Sequence, residues 1–246
     1  MSLRAELEKS GGWLFRYRGF LPLLVLPFCA AGFWSYSYLG GSHALTEGWG
    51  LLCVGVSILG QSVRSLAVGF AAGGTSGRNT RHQRAPELNT KGIYSLVRHP
   101  LYLGNYLVLA GFMMFFRNGW LLLVVSCVYA LYYERIMLAE EAFLRGKFGP
   151  QFEAWADKTP AFIPRLRGWA RPERRFCWRT VLRREYSGVF LITTVFAILD
   201  TLGDSVAEKR WHLDPPWVAV FGAGLLFYLT FRSLKKYTRV LHAEGR

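Results

Sequence analysis

The sequence predicts an all-α fold: a polytopic bundle of about six transmembrane helices that includes a short helical hairpin, with an amphipathic helix on the cytoplasmic side. Three observations predict it. Hydrophobic residues make up 52% of the 246 residues, and charged residues make up only 19%. The apolar residues form long, nearly uninterrupted blocks. Basic loops separate these blocks, as in proteins that cross a bilayer several times. A disordered chain or a coiled coil needs far more charge, so both classes are excluded.

Six apolar blocks are the expected spans. They cover 20–39, 48–72, 101–116, 119–139, 189–202 (extended back to 186) and 216–231. A helix needs roughly 20 residues to cross ~30 Å of hydrocarbon, and the first, second and fourth blocks reach this length. We expect the first block to be a retained span rather than a signal peptide, because it exceeds the usual length of such a segment and more spans follow.

The third block is short and, at 1.5 Å per residue, reaches only about 24 Å. Only Arg117 and Asn118 separate it from the fourth block. The two blocks are therefore expected to form a tight antiparallel hairpin.

The basic residues give the expected orientation. With both termini in the cytoplasm, 26 of the 30 Lys and Arg residues lie on the cytoplasmic side, which is the bias of multi-pass membrane proteins. The net charge of +14 thus has a topological explanation, and we expect the bilayer, not a nucleic acid, as the partner. The membrane is a plasma, inner or ER-like membrane. The four Cys residues contain no CxxC pair, so we expect neither a metal nor a redox centre.

The expected organisation has three parts. Residues 1–72 form an N-terminal two-span region, residues 73–165 form the core with the functional site, and residues 166–246 form a basic linker with two further spans. The loop 73–90 within the core is rich in Gly and Arg. It either closes over an anionic headgroup or is a basic cytoplasmic loop.

The start of the third block carries the first group of candidate site residues, namely Arg98, His99 and Tyr102. Pro100 suits the first turn of a helix, and the free amides of that turn together with Arg98 are suited to binding a carboxylate or a phosphate. Gly104 lets a flat ligand or another helix approach closely. Taken singly, Arg98 is also explained as a topological anchor and Tyr102 as a residue of the interfacial belt.

Acidic residues near the end of the fourth block form the second group. Glu134 and Glu141 share a helix face, whereas Glu140 lies about 100° around from Glu141, so we expect the two adjacent carboxylates to have different roles. They are suited to accept hydrogen bonds from ribose hydroxyls or an ammonium group, and the alternative is a solvated helix face. An amphipathic stripe follows, which predicts a helix lying on the membrane surface. Its members are Phe143, Phe148, Phe152 and Trp155.

One charge, that of Arg64, falls inside the second block. Gln61, Arg64 and Ser65 share a helix face, and a charge at this depth must face the bundle or an aqueous cavity. Arg64 either snorkels toward the cytoplasm or contacts a headgroup in a substrate cavity.

The ordered set of motifs resembles the isoprenylcysteine carboxyl methyltransferase and phospholipid methyltransferase superfamily. It consists of GIYSLVRHPLYLGNY, the Glu140–Glu141 pair, the Phe-Gly-x-x-Phe segment at 148–152 and the closing Pro164. The resemblance covers about residues 75–165. The chain continues for about 80 residues beyond Pro164, whereas smaller relatives stop near that point.

The resemblance implies an integral-membrane methyltransferase that uses S-adenosylmethionine and acts on a membrane lipid or a lipidated substrate. It places the active site at the cytoplasmic interface. Arg98, Glu141 and Arg64 are the candidate catalytic residues. The positions that match the cofactor site of the family are Arg98, His99, Tyr102, Leu103, Gly104, Glu140 and Glu141. The acceptor atom, the organism and the oligomeric state stay open.

Two other function classes are considered. Membrane sterol and steroid reductases share a similar Arg-His-Pro-x-Tyr-x-Gly motif and bind NADPH, but an acidic residue follows the glycine there, where this chain has Asn105. A non-enzymatic scaffold or transporter is the third class, although the spans lack the paired interrupted helices typical of many transporters.

Overall fold

The computed structural model describes residues 2–34, 36–73, 85–211 and 213–243. The described part of the chain is all-helical and contains no β-strand. Most of the Gly- and Arg-rich loop 73–90, including Gly74, Gly77, Arg78, Arg81 and Arg84, lies outside the described residues. The α-helices are α1 (Leu3–Tyr17), α2 (Leu21–Phe33), α3 (His43–Phe70), α4 (Pro100–Met114), α5 (Gly119–Phe148), α6 (Pro150–Ala156), α7 (Trp178–Glu208) and α8 (Pro215–Tyr237).

Four helices, α3, α5, α7 and α8, are long and apolar enough to cross a membrane, and the bent pair formed by α1 and α2 makes a fifth candidate. The all-α membrane fold is therefore confirmed, whereas the count of six spans is not. The short α4 has 15 residues. It connects to α5 through a tight turn in which the Asn118 side chain accepts a hydrogen bond from the Leu121 amide at 3.0 Å.

The first span differs from the prediction of one helix over 20–39. The chain forms two helices with a bend of 54° between them, and α2 already ends at Phe33. Beyond this point Tyr36 stacks on Phe115 at 5.4 Å, so the residues after Phe33 pack on the α4–α5 turn instead of continuing the helix. The preceding α1 packs against α5, where Phe15 joins a buried cluster with Tyr133 and Ile136.

The helices α3 and α4 approach each other closely along small residues. A Cβ on Gly60 would lie 2.5 Å from the Gly104 carbonyl oxygen, and a Cβ on Gly111 would lie 2.5 Å from the Cys53 carbonyl oxygen. The Ser57 hydroxyl donates a hydrogen bond to the Val108 carbonyl at 3.0 Å in the same interface. Since backbone approach of this kind tolerates only small side chains, this interface fixes the start of α4 against α3.

The expected amphipathic surface helix over 143–155 is two pieces rather than one. Gly149 has a φ of 49°, a conformation that glycine adopts without steric cost, and this residue ends α5 and precedes α6. The break turns α6 back toward the bundle, so that Phe152 is fully buried. The prediction that this stripe lies on the headgroup layer is therefore wrong for Phe152.

The last two helices are longer than their apolar blocks. α7 begins at Trp178, so the basic residues just before 186 belong to its first turns rather than to a loop. Its partner α8 packs on it through rings, with Phe190 and Tyr228 stacked at 4.7 Å. The outer surface of α8 is largely exposed, since only 6% of its most apolar stretch is buried. This is expected for a helix that faces lipid.

Candidate functional site

Two segments distant in sequence are held together by backbone hydrogen bonds just before α4. The Arg98 amide donates to the Pro160 carbonyl at 2.9 Å, and the His99 amide donates to the Ala161 carbonyl at 3.1 Å. In return, the Arg165 amide donates to the Leu96 carbonyl at 2.9 Å. The segment that follows α6 thus covers the start of α4 and fixes the direction in which Arg98 and His99 leave the backbone.

The imidazole of His99 lies between two carboxylates. Nε2 is 3.0 Å from Glu141 Oε1, and Nδ1 is 3.5 Å from Glu140 Oε2. The residue is only 6% exposed. Burial lowers the pKa of His99, but the hydrogen bonds and charges of Glu140 and Glu141 outweigh it and leave this pKa above its ordinary value. Two carboxylates beside both ring nitrogens favour the imidazolium, because both nitrogens then act as donors.

The two adjacent carboxylates share this partner, although each also has a contact of its own: Glu140 with Tyr102 and Glu141 with Arg98. A separation of about 100° around the helix directs Glu140 and Glu141 to different sides of α5. The ring of His99 bridges this separation because its two nitrogens lie on different edges. The prediction of different roles was made from the geometry of the α5 helix alone, in which no neighbouring side chain that contacts both glutamates was considered.

Arg98 forms an ion pair with Glu141, one of the two carboxylates that contact His99. Its Nε lies 3.0 Å from Glu141 Oε1, and its Nη1 donates to the Ala156 carbonyl at 2.8 Å. The buried Nε has no hydrogen-bond partner among the described residues, so the contact with Glu141 is an ion pair in which the N–H is not aligned with an acceptor. This leaves an unused donor at the site.

Tyr102 connects the polar group to an aromatic cluster. Its hydroxyl donates to Glu140 Oε2 at 3.0 Å, and its ring stacks on His99 at 5.6 Å. The other side of the ring packs against Tyr133 at 4.8 Å, and the Tyr129 hydroxyl donates to the Tyr102 carbonyl at 2.7 Å. Tyr129 and Tyr133 were not predicted as part of the site, and their only signal in the sequence was their spacing of one helical turn.

Leu103 and Gly104 contact the neighbouring helix. Leu103 packs against a buried cluster that includes Ala67 and Val97. A Cβ on Gly104 would lie 2.5 Å from Arg64 Cγ and 2.7 Å from the Gly60 carbonyl oxygen. Of the two predicted uses of Gly104, the close approach of another helix is the one that the structure contains.

Arg64 lies in a second polar group, formed by α3, α4 and α7. Its Nε and Nη2 donate to the two carboxylate oxygens of Glu185 at 2.8 and 2.9 Å, and its Nη1 donates to Asn105 Oδ1. Gln61 Nε2 also donates to Glu185, at 2.9 Å. Arg64 thus faces the bundle, as a charge at this depth requires.

The sequence reasoning missed Glu185, because it assigned this residue to a basic loop. The glutamate follows two arginines, so the charge pattern resembled a cytoplasmic segment. In the structure α7 begins at Trp178, so Glu185 lies within this helix. The cluster around Arg64 and the cluster around His99 are separate. The beginning of α4 contributes a residue to each, namely Asn105 to the first and Tyr102 to the second.

The residues around His99 fit S-adenosylmethionine in their donor and acceptor chemistry. Both contacts of Glu140 use Oε2, and its side chain remains 33% exposed, so Oε1 is available as an acceptor for hydroxyl or ammonium groups. The Arg98 side chain is 17% exposed, and guanidinium N–H groups other than the buried Nε suit a carboxylate. The set therefore offers complementary groups for both charged ends of an amino acid and for a ribose.

The resemblance inferred from the sequence is confirmed by comparison with known proteins. Residues 44–151 match the phospholipid methyltransferase family. This range contains α4, both glutamates of the site and Arg64, whereas Glu185 lies beyond it.

Similar proteins include the nickel-cobalt-cadmium resistance protein NccN of Alcaligenes xylosoxydans xylosoxydans, which is 34% identical over 45% of this chain and 49% of its own length. The cobalt-zinc-cadmium resistance protein CzcN of Cupriavidus metallidurans is 35% identical over 47% of this chain and 50% of its own length. The protein-S-isoprenylcysteine O-methyltransferase of Schizosaccharomyces pombe is 32% identical over 48% and 49% of the two chains. The chain thus matches about half the length of these relatives. No solved structure matches it significantly.

Proposed function

We propose, from the phospholipid methyltransferase domain carried by residues 44–151, that the protein is an integral-membrane methyltransferase that uses S-adenosylmethionine and acts on a lipid or a lipidated substrate. The observation that carries this proposal is the convergence of Arg98, His99, Tyr102, Glu140 and Glu141 within that domain. These residues come from α5, from the first turn of α4 and from the two positions before it, and they meet within hydrogen-bond distance.

S-Adenosylmethionine supplies an electrophilic methyl group on a sulfonium when it is bound. Transfer of such a group depends on positioning and on a dry site more than on acid–base chemistry. Glu140 accepts hydrogen bonds from hydroxyl or ammonium groups, and Arg98 binds a carboxylate. The imidazolium of His99 positions the two glutamates, since it holds both side chains from the buried side.

Water is kept from this region by α6 and the segment after it. Phe152 is fully buried, and the Trp155 indole N–H donates to the Tyr94 carbonyl at 3.0 Å. Together with the backbone pairing of 160–161 to Arg98 and His99, these contacts fix the segment over the start of α4. The site is thereby closed on one side by ordered chain.

An apolar acceptor is supported by the surface between α2, α4 and α5. A small apolar cleft there is lined by residues such as Leu24, Val128 and Tyr129, and the side chains of Leu24 and Val128 are exposed. Tyr129 also donates to the backbone of Tyr102, whose hydroxyl contacts Glu140, so these two tyrosines connect the cleft with the polar group. An acyl or prenyl chain in the bilayer is suited to this surface.

The orientation follows from the charge distribution, and we place the His99 group on the cytoplasmic side. The three-part organisation of the chain remains part of this proposal. In it, residues 73–165 hold the cofactor. The Arg64–Glu185 contact attaches the C-terminal region to the N-terminal two-span region, and Arg64 reaches the core through its bond to Asn105.

Calorimetric titration of the purified full chain in lipid nanodiscs tests the cofactor. We expect saturable binding of S-adenosylhomocysteine, the product of methyl transfer, and no binding of NADPH. His99→Ala and Glu141→Gln are expected to weaken this binding by roughly tenfold or more, since each removes a charge-assisted hydrogen bond worth about 1.5–3 kcal/mol. Glu134→Gln, at an exposed position of the same helix, is the matched control.

The outcomes separate the function classes. Binding of NADPH alone would establish the reductase, and binding of neither compound would favour a scaffold or transporter. Normal affinity in both variants would exclude this site assignment. Transfer of a radiolabelled methyl group to extracted membrane lipids then identifies the acceptor class.

A further inference from the structure

The end of the bundle opposite the His99 group holds a second cluster of ionisable side chains. His43 and Glu47 lie in the first turns of α3, and Asp200 and Asp204 lie in the last turns of α7. Asp214 immediately precedes α8. His43 and Arg64 are separated by about 30 Å along α3 at 1.5 Å per residue, so this cluster is far from the proposed methyl-transfer site.

The ring of His43 is held in one orientation. Its Nε2 lies 3.3 Å from Asp204 Oδ2, and Asp204 is only 2% exposed. Tyr38 packs edge-on against the ring at 5.2 Å. With Nε2 engaged by a buried carboxylate, Nδ1 is the nitrogen that faces Glu47, whose Oε2 lies 4.0 Å away.

Three side chains that can bind a metal lie close together here. One ligand atom from each of His43, Glu47 and Asp214 lies within 4.8 Å of the other two. Two carboxylates and an imidazole at this spacing need only small side-chain movements to reach the distances of about 2.0–2.2 Å at which nitrogen and oxygen ligands hold a zinc ion. A histidine ligand commonly donates its second N–H to a carboxylate, which is the position of Asp204.

A second observation also indicates a cation at this end. Asp200 is only 9% exposed, and its Oδ2 has no hydrogen-bond partner among the described residues, as is also true of Asp214 Oδ2. Asp200 interacts electrostatically with Asp204, Asp214 and Glu47 as well as with His43. Buried carboxylate oxygens without partners are costly. The described donors beside Asp204, namely the His43 ring and the Tyr38 hydroxyl, leave Asp200 Oδ2 and Asp214 Oδ2 without a hydrogen bond.

We propose that His43, Glu47 and Asp214 bind a divalent transition-metal cation, and that Asp204 orients the imidazole for it. A set of one imidazole and two carboxylates suits zinc and neighbouring first-row ions. No metal was expected from the sequence, because the prediction used cysteine spacing, whereas two of these ligands lie one turn apart in α3 and the third lies in the segment before α8. The site is independent of the proposed methyl transfer.

Titration of Zn²⁺ into the full chain in metal-free lipid nanodiscs tests the proposal. We expect one saturable site in the wild-type protein. His43→Ala and Asp214→Asn should each weaken binding by roughly tenfold or more, and Asp204→Asn should weaken it by about 10–100-fold, the range for a group that orients a metal ligand. His242→Ala replaces an exposed histidine outside the cluster and should bind Zn²⁺ as the wild type does.

Melting temperatures measured without metal show whether each variant is folded. Glu47→Gln provides a further test at a solvent-exposed position, since that side chain is 46% exposed, and it should also bind more weakly. An absence of saturable Zn²⁺ binding by the wild type would overturn the proposal, because the cluster is then an ordinary network of ion pairs. Wild-type affinity in folded His43→Ala would overturn it as well.

Discussion

Replacement of Arg64 by Met tests whether the contact between α3 and α7 is a structural ion pair. The guanidinium donates two hydrogen bonds to Glu185, whose side chain is only 5% exposed, whereas Arg64 is 21% exposed. Met fills a similar volume but leaves Glu185 with the single bond from Gln61 at 2.9 Å. The variant therefore leaves a buried carboxylate without its cationic partner and with one of these three hydrogen bonds.

The expected cost follows from this burial. Removal of one partner of a buried pair destabilises a protein by about 3–5 kcal/mol. In a chain of this size, 1 kcal/mol shifts the melting temperature by roughly 2–4 °C, so the melting temperature of Arg64→Met should fall by roughly 6–20 °C. The reciprocal variant Glu185→Leu should lose less, because Arg64 is more exposed and keeps its bond to Asn105.

Thermal unfolding in nanodiscs, followed by tryptophan fluorescence, measures these shifts. The double variant Arg64→Met/Glu185→Leu carries no unpaired charge and should be more stable than Arg64→Met alone, since apolar replacement of a whole buried pair is often neutral or stabilising. Arg232→Met, on the exposed surface of α8, should leave the melting temperature almost unchanged. If the two single losses simply add in the double variant, the pair is not coupled and the reasoning fails.

Three further predictions concern packing and pH. Gly111→Ala should lower the free energy of unfolding by about 1–3 kcal/mol in thermal unfolding, because its Cβ would meet the Cys53 carbonyl. The control Gly55→Ala has open space around it and should not lower it. Equal effects of the two variants would contradict the close α3–α4 contact. Phe152→Ala should cost about 3–5 kcal/mol in the same assay, and a loss below ~1 kcal/mol would show that the ring is not buried. The raised pKa of His99 means that the folded state binds its proton more tightly than the unfolded state. The stabilisation it gives is complete below the ordinary pKa of 6.5 and is lost as the pH rises through the raised value. The melting temperature of the wild type should therefore fall across that window more steeply than that of His99→Gln, and parallel curves would refute the assignment.

The membrane fold could be predicted because lipid exposure leaves a direct record in the sequence. The second and third apolar blocks match α3 and α4 to within five residues at each end, and the fourth matches the start of α5, since a lipid-facing helix surface must be apolar over the depth of the hydrocarbon. Helix ends that lie outside the hydrocarbon are not marked by an apolar pattern in the sequence. α7 extends back to Trp178 through residues as polar as a loop, and the apolar pattern could not distinguish the two.

The candidate site was predicted in its members but not in its contacts. Arg98, His99 and Glu141 were identified because their order in the chain matches a family motif. Their partnership depends on how α4 and α5 face each other, which no local pattern reports. The same limit explains why Glu185 was missed, as the interaction that explains Arg64 is made with a residue 121 positions away.

The pairing of residues 160–165 with the start of α4 has a consequence for how the sequence can change over time. Its register is set by main-chain atoms of Pro160, Ala161 and Arg165, so side chains in this stretch are free to vary where they point outward. Ile163, 79% exposed, is one such position. Gain or loss of a single residue is different, because it would move Arg165 out of reach of Leu96 and shift the cover over His99. Substitutions in this stretch should therefore accumulate freely among descendants of this chain, whereas insertions and deletions should be purged.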